Sequence, residues 1–395
     1  MINSYRASFN AQFSKEQYDL FLKELEKGFV EIPFRVAETP VFLPASLKDQ
    51  LIAAGAEIIT LIKNENFKRL TEKSIPADWK VPDENGHPHF LTFDFGICKD
   101  QEGNLIPKLI ELQGFPSLYG FQSHLAKIFQ QSFDLSPELT PYFNGLNEES
   151  YLELLKEVII GKHQPHEVAL MDLDAPHQKT AIDFLITEKY LGIKILSLSD
   201  LRKEDNHLYY QQDGQKVILK RIYNRLIFDE IGDNTDIFKN SFDPREALDI
   251  EWVTHPNWFY RISKYTMPFL KSDFVPPTHF LKDLEEIPED LENYVLKPLF
   301  SFAGMGVIID VEKKDIENIA DPENWILQRK VSYEPVVQAP DGGIKVEIRL
   351  MYLWPEGKEP TLCISLARLS RGKMIGVRYN KDFDWVGGTV GLIEK

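Results

Sequence analysis

Residues 90–112 read FLTFDFGIC, then KDQEGN with Gly103, then LIPKLIEL: two apolar strands joined by a polar turn. A lone hairpin of this kind is at best marginal in water, so it must find more strands or a helix layer. It also carries acids among apolar neighbours. On a strand, residues i and i+2 share a face, so Glu111 and Gln113 point the same way and Asp94 can sit opposite them. Two carboxylates and an amide oxygen are hard donors suited to Mg²⁺. A solvated hairpin face is the plainer alternative. It is weakened by Leu109, Ile110 and Leu112 around Glu111, because a buried carboxylate needs a partner.

Helical spacing of apolar residues marks 15–28 and 46–64. Beyond a Pro/Asn-rich stretch at 136–149, HEVALMDLD reads as a strand, HQKTAIDFLITEKYLG as a helix ending at Gly192, and IKILSLSD as a strand. That order suggests a parallel α/β unit. LYYQQDGQKVILKRIY reads as a hairpin around Asp213-Gly214. A second boundary falls in 231–245. From there a helix is expected over 246–272, followed by strands in YVLKPLF, VIIDV, WILQRKV, KVEIRLMYLW and PTLCISLARLS. The chain stops soon after DWVGGTVGLIEK, and nothing after Lys395 closes this last sheet.

The 395 residues suggest two to three domains, enough to bury a core without metal or disulfide staples. Lys plus Arg is 45 and Asp plus Glu is 61, a net charge of 45 − 61 = −16. That balance argues against a sequence-independent nucleic-acid binder and against attraction to an anionic membrane. It leaves room for a local basic cleft. Cys98 and Cys363 are the two cysteines, which gives no disulfide framework. With no apolar leader and no run of the ~20 residues that spans a bilayer, a soluble cytoplasmic protein is expected.

Three more segments carry polar chemistry. In Lys297-Pro-Leu-Phe-Ser301-Phe-Ala-Gly304-Met-Gly306-Val a strand delivers a lysine into a loop of small residues, where backbone N–H groups can approach phosphate. A hairpin with a glycine turn is the alternative. In Lys345-Val-Glu347-Ile-Arg349 and Ala367-Arg368-Leu-Ser-Arg371, Glu347 and Arg349 share a face, which also suits a surface ion pair. Gln328-Arg329-Lys330-Val331 could offer its backbone to a purine edge, or could simply end a strand. No HExxH spacing and no Gly-x-Ser-x-Gly elbow occurs.

Together these motifs resemble the ATP-grasp superfamily in circularly permuted form, the group that includes glutathionylspermidine synthase-like enzymes. LTFDFGICK through LIELQGFPSLYGF is similar to the metal-binding end of D-alanine–D-alanine ligases, but stands ahead of the lysine and glycine-loop half. The resemblance implies N-terminal helices plus a metal-binding hairpin in 1–140. It implies an α/β domain in 150–240 and nucleotide-binding lobes in 246–395, an α/β (α+β) fold in all. Residues 90–112 should then pair with 345–370 and close the last sheet. By the same resemblance, Asp94, Glu111 and Gln113 are metal ligands, with Gln113 where the family has Asn. Lys264, Lys297, Ser301, Gly304 and Gly306 meet the phosphates. Gln328, Lys330 and Val331 form the adenine hinge, and Glu347 contacts ribose or metal. Arg349 and Arg368 are catalytic, and Arg221, Arg225 and Asn380 lie near the acceptor. The implied activity is ATP- and Mg²⁺-dependent ligation of a small-molecule carboxylate to an amine through an acyl phosphate. The alternative is a nucleotide-binding regulatory or scaffold protein with a degraded site.

Overall fold

The computed structural model describes residues 1–232, 235–300, 305–372, 375 and 380–395. The 90–112 hairpin forms as strands Phe90–Lys99 and Leu105–Gln113. It joins an eight-stranded sheet in the order Val41–Phe42, Gly387–Glu394, Thr361–Ser370, Gly342–Leu353, Phe90–Lys99, Leu105–Gln113. Two short strands, Val337–Ala339 and Leu139–Thr140, pair off this path. Phe90–Lys99 runs antiparallel to Gly342–Leu353 with Asp94 opposite Arg349, so residues 90–112 do share a sheet with 345–370.

The tail differs from expectation. Gly387–Glu394 is itself a strand, antiparallel to Thr361–Ser370, with Val41–Phe42 parallel on its far side. Gly387, Gly388 and Gly391 dilute its strand propensity, while Val390, Leu392 and Ile393 still anchor it in the core. Helices Lys15–Glu26 and Ala45–Ile62 form close to the expected bounds. With Asn3–Gln12 and Tyr119–Ser132 they pack onto this sheet, Phe21, Leu25, Leu51, Ile58 and Phe129 meeting Phe93, Ile348 and Leu392 in one core. Each such side chain, fully buried, contributes about 1.5–3 kcal/mol.

A parallel sheet of four strands follows, in the order Glu251–Val253, Arg221–Asn224, Val168–Asp172, Lys194–Ser197, with helix Ala181–Leu191 between the last two in sequence. The expected hairpin is present as His207–Gln212 and Gln215–Ile218. Its second arm is shorter than read, because Arg221–Asn224 leaves for the parallel sheet. The helix expected over 246–272 is not there. Glu251–Val253 is a strand, Asn257–Arg261 a short helix and Lys264–Phe269 a 3₁₀ turn. Pro256 and Pro268 interrupt any long helix, and Trp252-Val253-Thr254 favours a strand.

A third sheet has Trp325–Arg329 between Thr278–Phe280 and Tyr294–Pro298. The expected VIIDV strand is reduced to one bridge, Leu296 to Ile308. Among the described residues no helix is long and apolar enough to cross a membrane.

Candidate functional site

Strand register builds the site. Glu111, Asp94 and Arg349 lie side by side across three neighbouring strands, and Glu347 faces Arg368 on the next pair. Cross-strand neighbours on one face are within side-chain reach. Arg349 therefore grips Asp94 two-handed, Nε to Oδ1 and Nη2 to Oδ2, both at 2.6 Å. Arg368 Nη2 donates to both Asp94 and Glu347. Tyr333 Oη donates to the other Glu347 oxygen at 2.9 Å. That ring lies against Gly96, where a Cβ would sit 2.7 Å from Tyr333 Cε1.

The charges are deeply placed: Asp94 is 1% exposed and Glu347 3%. Burial pushes the Asp94 carboxyl up, but Arg349 and Arg368 outweigh it and hold it below the ordinary value. For Glu347 burial wins. Arg368 pulls its carboxyl down, Asp94 and Glu111 push it up, and it ends above the ordinary range.

The pairing slips between Asp94 and Phe95, where their partners step from Glu111 to Leu109. A bulge of this kind takes one residue, here Ile110, out of the ladder. Its carbonyl accepts from Lys297 Nζ at 3.0 Å, and Gln328 Oε1 accepts from the same ammonium at 2.6 Å. Both partners are neutral, and burial lowers the Lys297 pKa to about 8 despite the pull of Glu111. Lys297 is thus held by neutral oxygens; Asp310 instead lies 3.7 Å from Lys330. The hairpin end reaches the 257–262 segment through Gly114, whose N–H donates to Ile262 O at 3.0 Å. A Cβ at Gly114 would meet Trp258 O at 2.7 Å. The result is a cleft lined by Glu111, Gln113, Phe115, Ser263, Lys264 and Phe300. A larger open groove along 270–279, with Glu57 and Thr60, holds none of these charged residues.

Asp94, Glu111, Gln113, Glu347, Arg349, Arg368, Lys264 and Lys297 are thus brought to one region. Other expected residues are placed differently. Gln328 is on a central strand, paired on both sides, and its amide donates to Thr278 Oγ1 and Met267 Sδ. Lys330 turns toward Glu292 and Asp310, its N–H already donating to Asn293 O. Val331 lies just past that strand. The backbone N–H groups of Arg329 and Lys330 are thus engaged by Pro277 O and Asn293 O. Gly306 makes a left-handed turn at φ 72°, while Ser301 and Gly304 lie outside the described residues. Arg221 is held by Val158 O, Ile159 O and Glu251, tying the end of helix Glu148–Ile160 to the parallel sheet. Asn380 accepts from Ser370 Oγ, Arg371 N–H and Gly372 N–H, bracing the turn after the Arg368 strand. Arg225 stands apart from both. It is buried over the rings of Phe115 and Phe184, and its Nε and Nη1 have no partner among the described residues. Tyr333 and Ile110 escaped sequence reading: one sits outside any strand and the other acts through its carbonyl.

The expected metal trio does not fit a divalent cation as it stands. Both Asp94 oxygens accept from guanidinium groups, and Glu111 Oε1 already accepts from Gln113 Nε2 at 3.0 Å. No group of three or more acidic, His or Cys side chains among the described residues is arranged to hold a metal ion. Arg349 stands directly opposite Asp94 in the sheet and takes the position at its carboxylate that the sequence left open for a metal.

No family model and no curated protein matches this chain. Among solved structures it is similar to a glutathione synthetase-like effector from Globodera pallida in its apo form, at 12% identity and a TM-score of 0.58. The match covers 96% of this chain and 96% of that one. At that identity the likeness concerns architecture: the chain has a mixed α/β fold of the glutathione synthetase-like kind.

Proposed function

We propose that the cleft binds ATP and that the chain is an ATP-dependent ligase joining a carboxylate to an amine through an acyl phosphate. The observation that carries this reading is the gathering of Lys297, Arg349 and Arg368 around Glu111, beside a cleft that Glu111 lines together with Gln113 and Lys264. The fold likeness to a glutathione synthetase-like protein supports it. In this reading Lys264 and Lys297 hold the phosphates. Arg349 and Arg368 offset the charge on the transferring phosphoryl group and then on the tetrahedral intermediate. Arg225, with two nitrogens behind Phe115 that have no hydrogen-bond partner among the described residues, receives a substrate carboxylate. Catalysis is positioning and electrostatics, so no side-chain nucleophile is needed, and no step is assigned to Mg²⁺. The test is ADP release that depends on a candidate carboxylate and amine, with hydroxylamine trapping the acyl phosphate as a hydroxamate.

A second reading, a nucleotide-binding protein without turnover, is favoured by the closed Asp94–Arg349 and Glu347–Arg368 pairs. ATP binding with no ADP release and no hydroxamate across amino acids and polyamines would select it.

A further inference from the structure

We propose that the Arg368 guanidinium is the resident counter-cation of this cluster, and that Arg368 and a divalent cation exclude one another at Glu347. Glu347 cannot leave: it is 3% exposed and fixed by the Tyr333 hydroxyl. Arg349 is likewise held by two nitrogens on Asp94 and is almost fully buried. Arg368 differs in both respects. Its side chain is 34% exposed, and both of its carboxylate contacts run through Nη2. Its Nε is buried with no hydrogen-bond partner among the described residues. A guanidinium held by one nitrogen, with another left unsatisfied, is the member of the network best able to swing to water.

Its departure would leave Asp94, Glu111 and Glu347 with only Arg349 among the arginines. The Glu347 oxygen that accepts from Arg368 would then lose that donor while the charges of Asp94 and Glu111 still act on it. Hard, anionic oxygens of that kind suit Mg²⁺ or Mn²⁺. With Arg368 in place the same oxygen faces a cation, and a second cation is repelled. Metal entry is therefore coupled to movement of one side chain. The inference concerns the charged cluster beside the cleft of the ligase reading and needs neither nucleotide nor turnover.

The experiment is a Mn²⁺ titration without nucleotide, reading free Mn²⁺ by its electron paramagnetic resonance signal. Wild type, Arg368→Gln, Arg368→Lys and the double variant Arg368→Gln/Glu347→Gln are compared. Arg368→Gln is expected to bind Mn²⁺ at least about tenfold more tightly than wild type, a difference of about 1.4 kcal/mol. Arg368→Lys should fall between them, and the double variant should return to the wild-type level. Equal affinity in wild type and Arg368→Gln overturns the proposal, whether both bind or neither does. So does tightening that survives loss of the Glu347 charge. Should circular dichroism show Arg368→Gln unfolded, Arg368→Lys decides: unchanged affinity there overturns the proposal. ATP binding and turnover, measured separately, can fail without touching this result.

Discussion

Asp94→Asn keeps the size of the side chain and removes its charge. Were Asp94 a metal ligand, the fold would hardly notice in the absence of metal. The structure predicts otherwise, because Asp94 is 1% exposed and bonded twice to Arg349 at 2.6 Å. Removing one member of a buried pair costs about 3–5 kcal/mol, since the other stays behind uncompensated. Arg349 would stay behind beside Arg368, a like charge. Arg349→Met should cost a similar amount. The double variant should cost less than the sum by about 2–3 kcal/mol, the upper range for residues in direct contact. Urea unfolding followed by tryptophan fluorescence supplies the four free energies. The pH dependence adds a second arm. Asp94 is held below the ordinary 3.8 by the two arginines against the opposing effect of burial. The unfolded chain therefore takes up its proton first as the pH falls, and the stabilisation, full above that value, is lost below it. The wild-type advantage over Asp94→Asn should shrink in that acid window. An Asp94→Asn cost under about 0.5 kcal/mol, or additivity within about that margin, would refute the reasoning.

Lys297→Met should weaken ATP binding while raising stability at pH 7, because burial depresses this lysine from 10.5 to about 8 and keeping it charged costs stability. Between those values the unfolded chain binds the extra proton, so wild-type stability should rise with pH and the gain of the variant vanish by the upper one, in unfolding curves taken at several pH values. Tyr333→Phe should lose about 1.5–3 kcal/mol in thermal or urea unfolding, leaving a buried Glu347 oxygen without its donor. Gly96→Ala should destabilise by about 1–3 kcal/mol by driving a methyl into the Tyr333 ring, and Gly96→Ala/Tyr333→Ala should recover part of that loss. Arg225→Leu should leave ATP affinity within about twofold in calorimetric titration while raising the KM for the carboxylate substrate tenfold or more.

What could be read from sequence follows the strength of each local signal. Asp94, Glu111, Glu347 and Arg349 stand on strands whose apolar neighbours announce them, and alternation alone says which side chains share a face. Partner choice was not readable, because Asp94 next to a lysine, an arginine or a metal leaves the same pattern. Only the register of strands some 255 residues apart puts Arg349 there. The Ile110 bulge was hidden for a related reason. LIPKLIEL gives no sign of which residue drops out of the ladder. Residues 246–272 misled because their apolar spacing suits a helix, whereas Pro256, Pro268 and the open edge of the Arg221–Asn224 strand decide otherwise. The last strand was read as a tail because glycines weaken local propensity while the sheet supplies the stabilisation from outside.

The order of strands in the large sheet has a consequence for synthesis. Phe90–Lys99 is made early, yet its partner Gly342–Leu353 leaves the ribosome last but for two strands of that sheet. With 255 residues between Asp94 and Arg349, the interval is roughly 13–50 s at ribosomal rates of about 5–20 residues per second. Throughout it, Phe90–Lys99 has the edge that later takes Gly342–Leu353 unpaired, the condition in which strands recruit other chains. A chaperone that shields this hairpin should therefore raise the yield of folded protein more than one acting on the finished chain, and stalling translation near residue 340 should be the most aggregation-prone point of all.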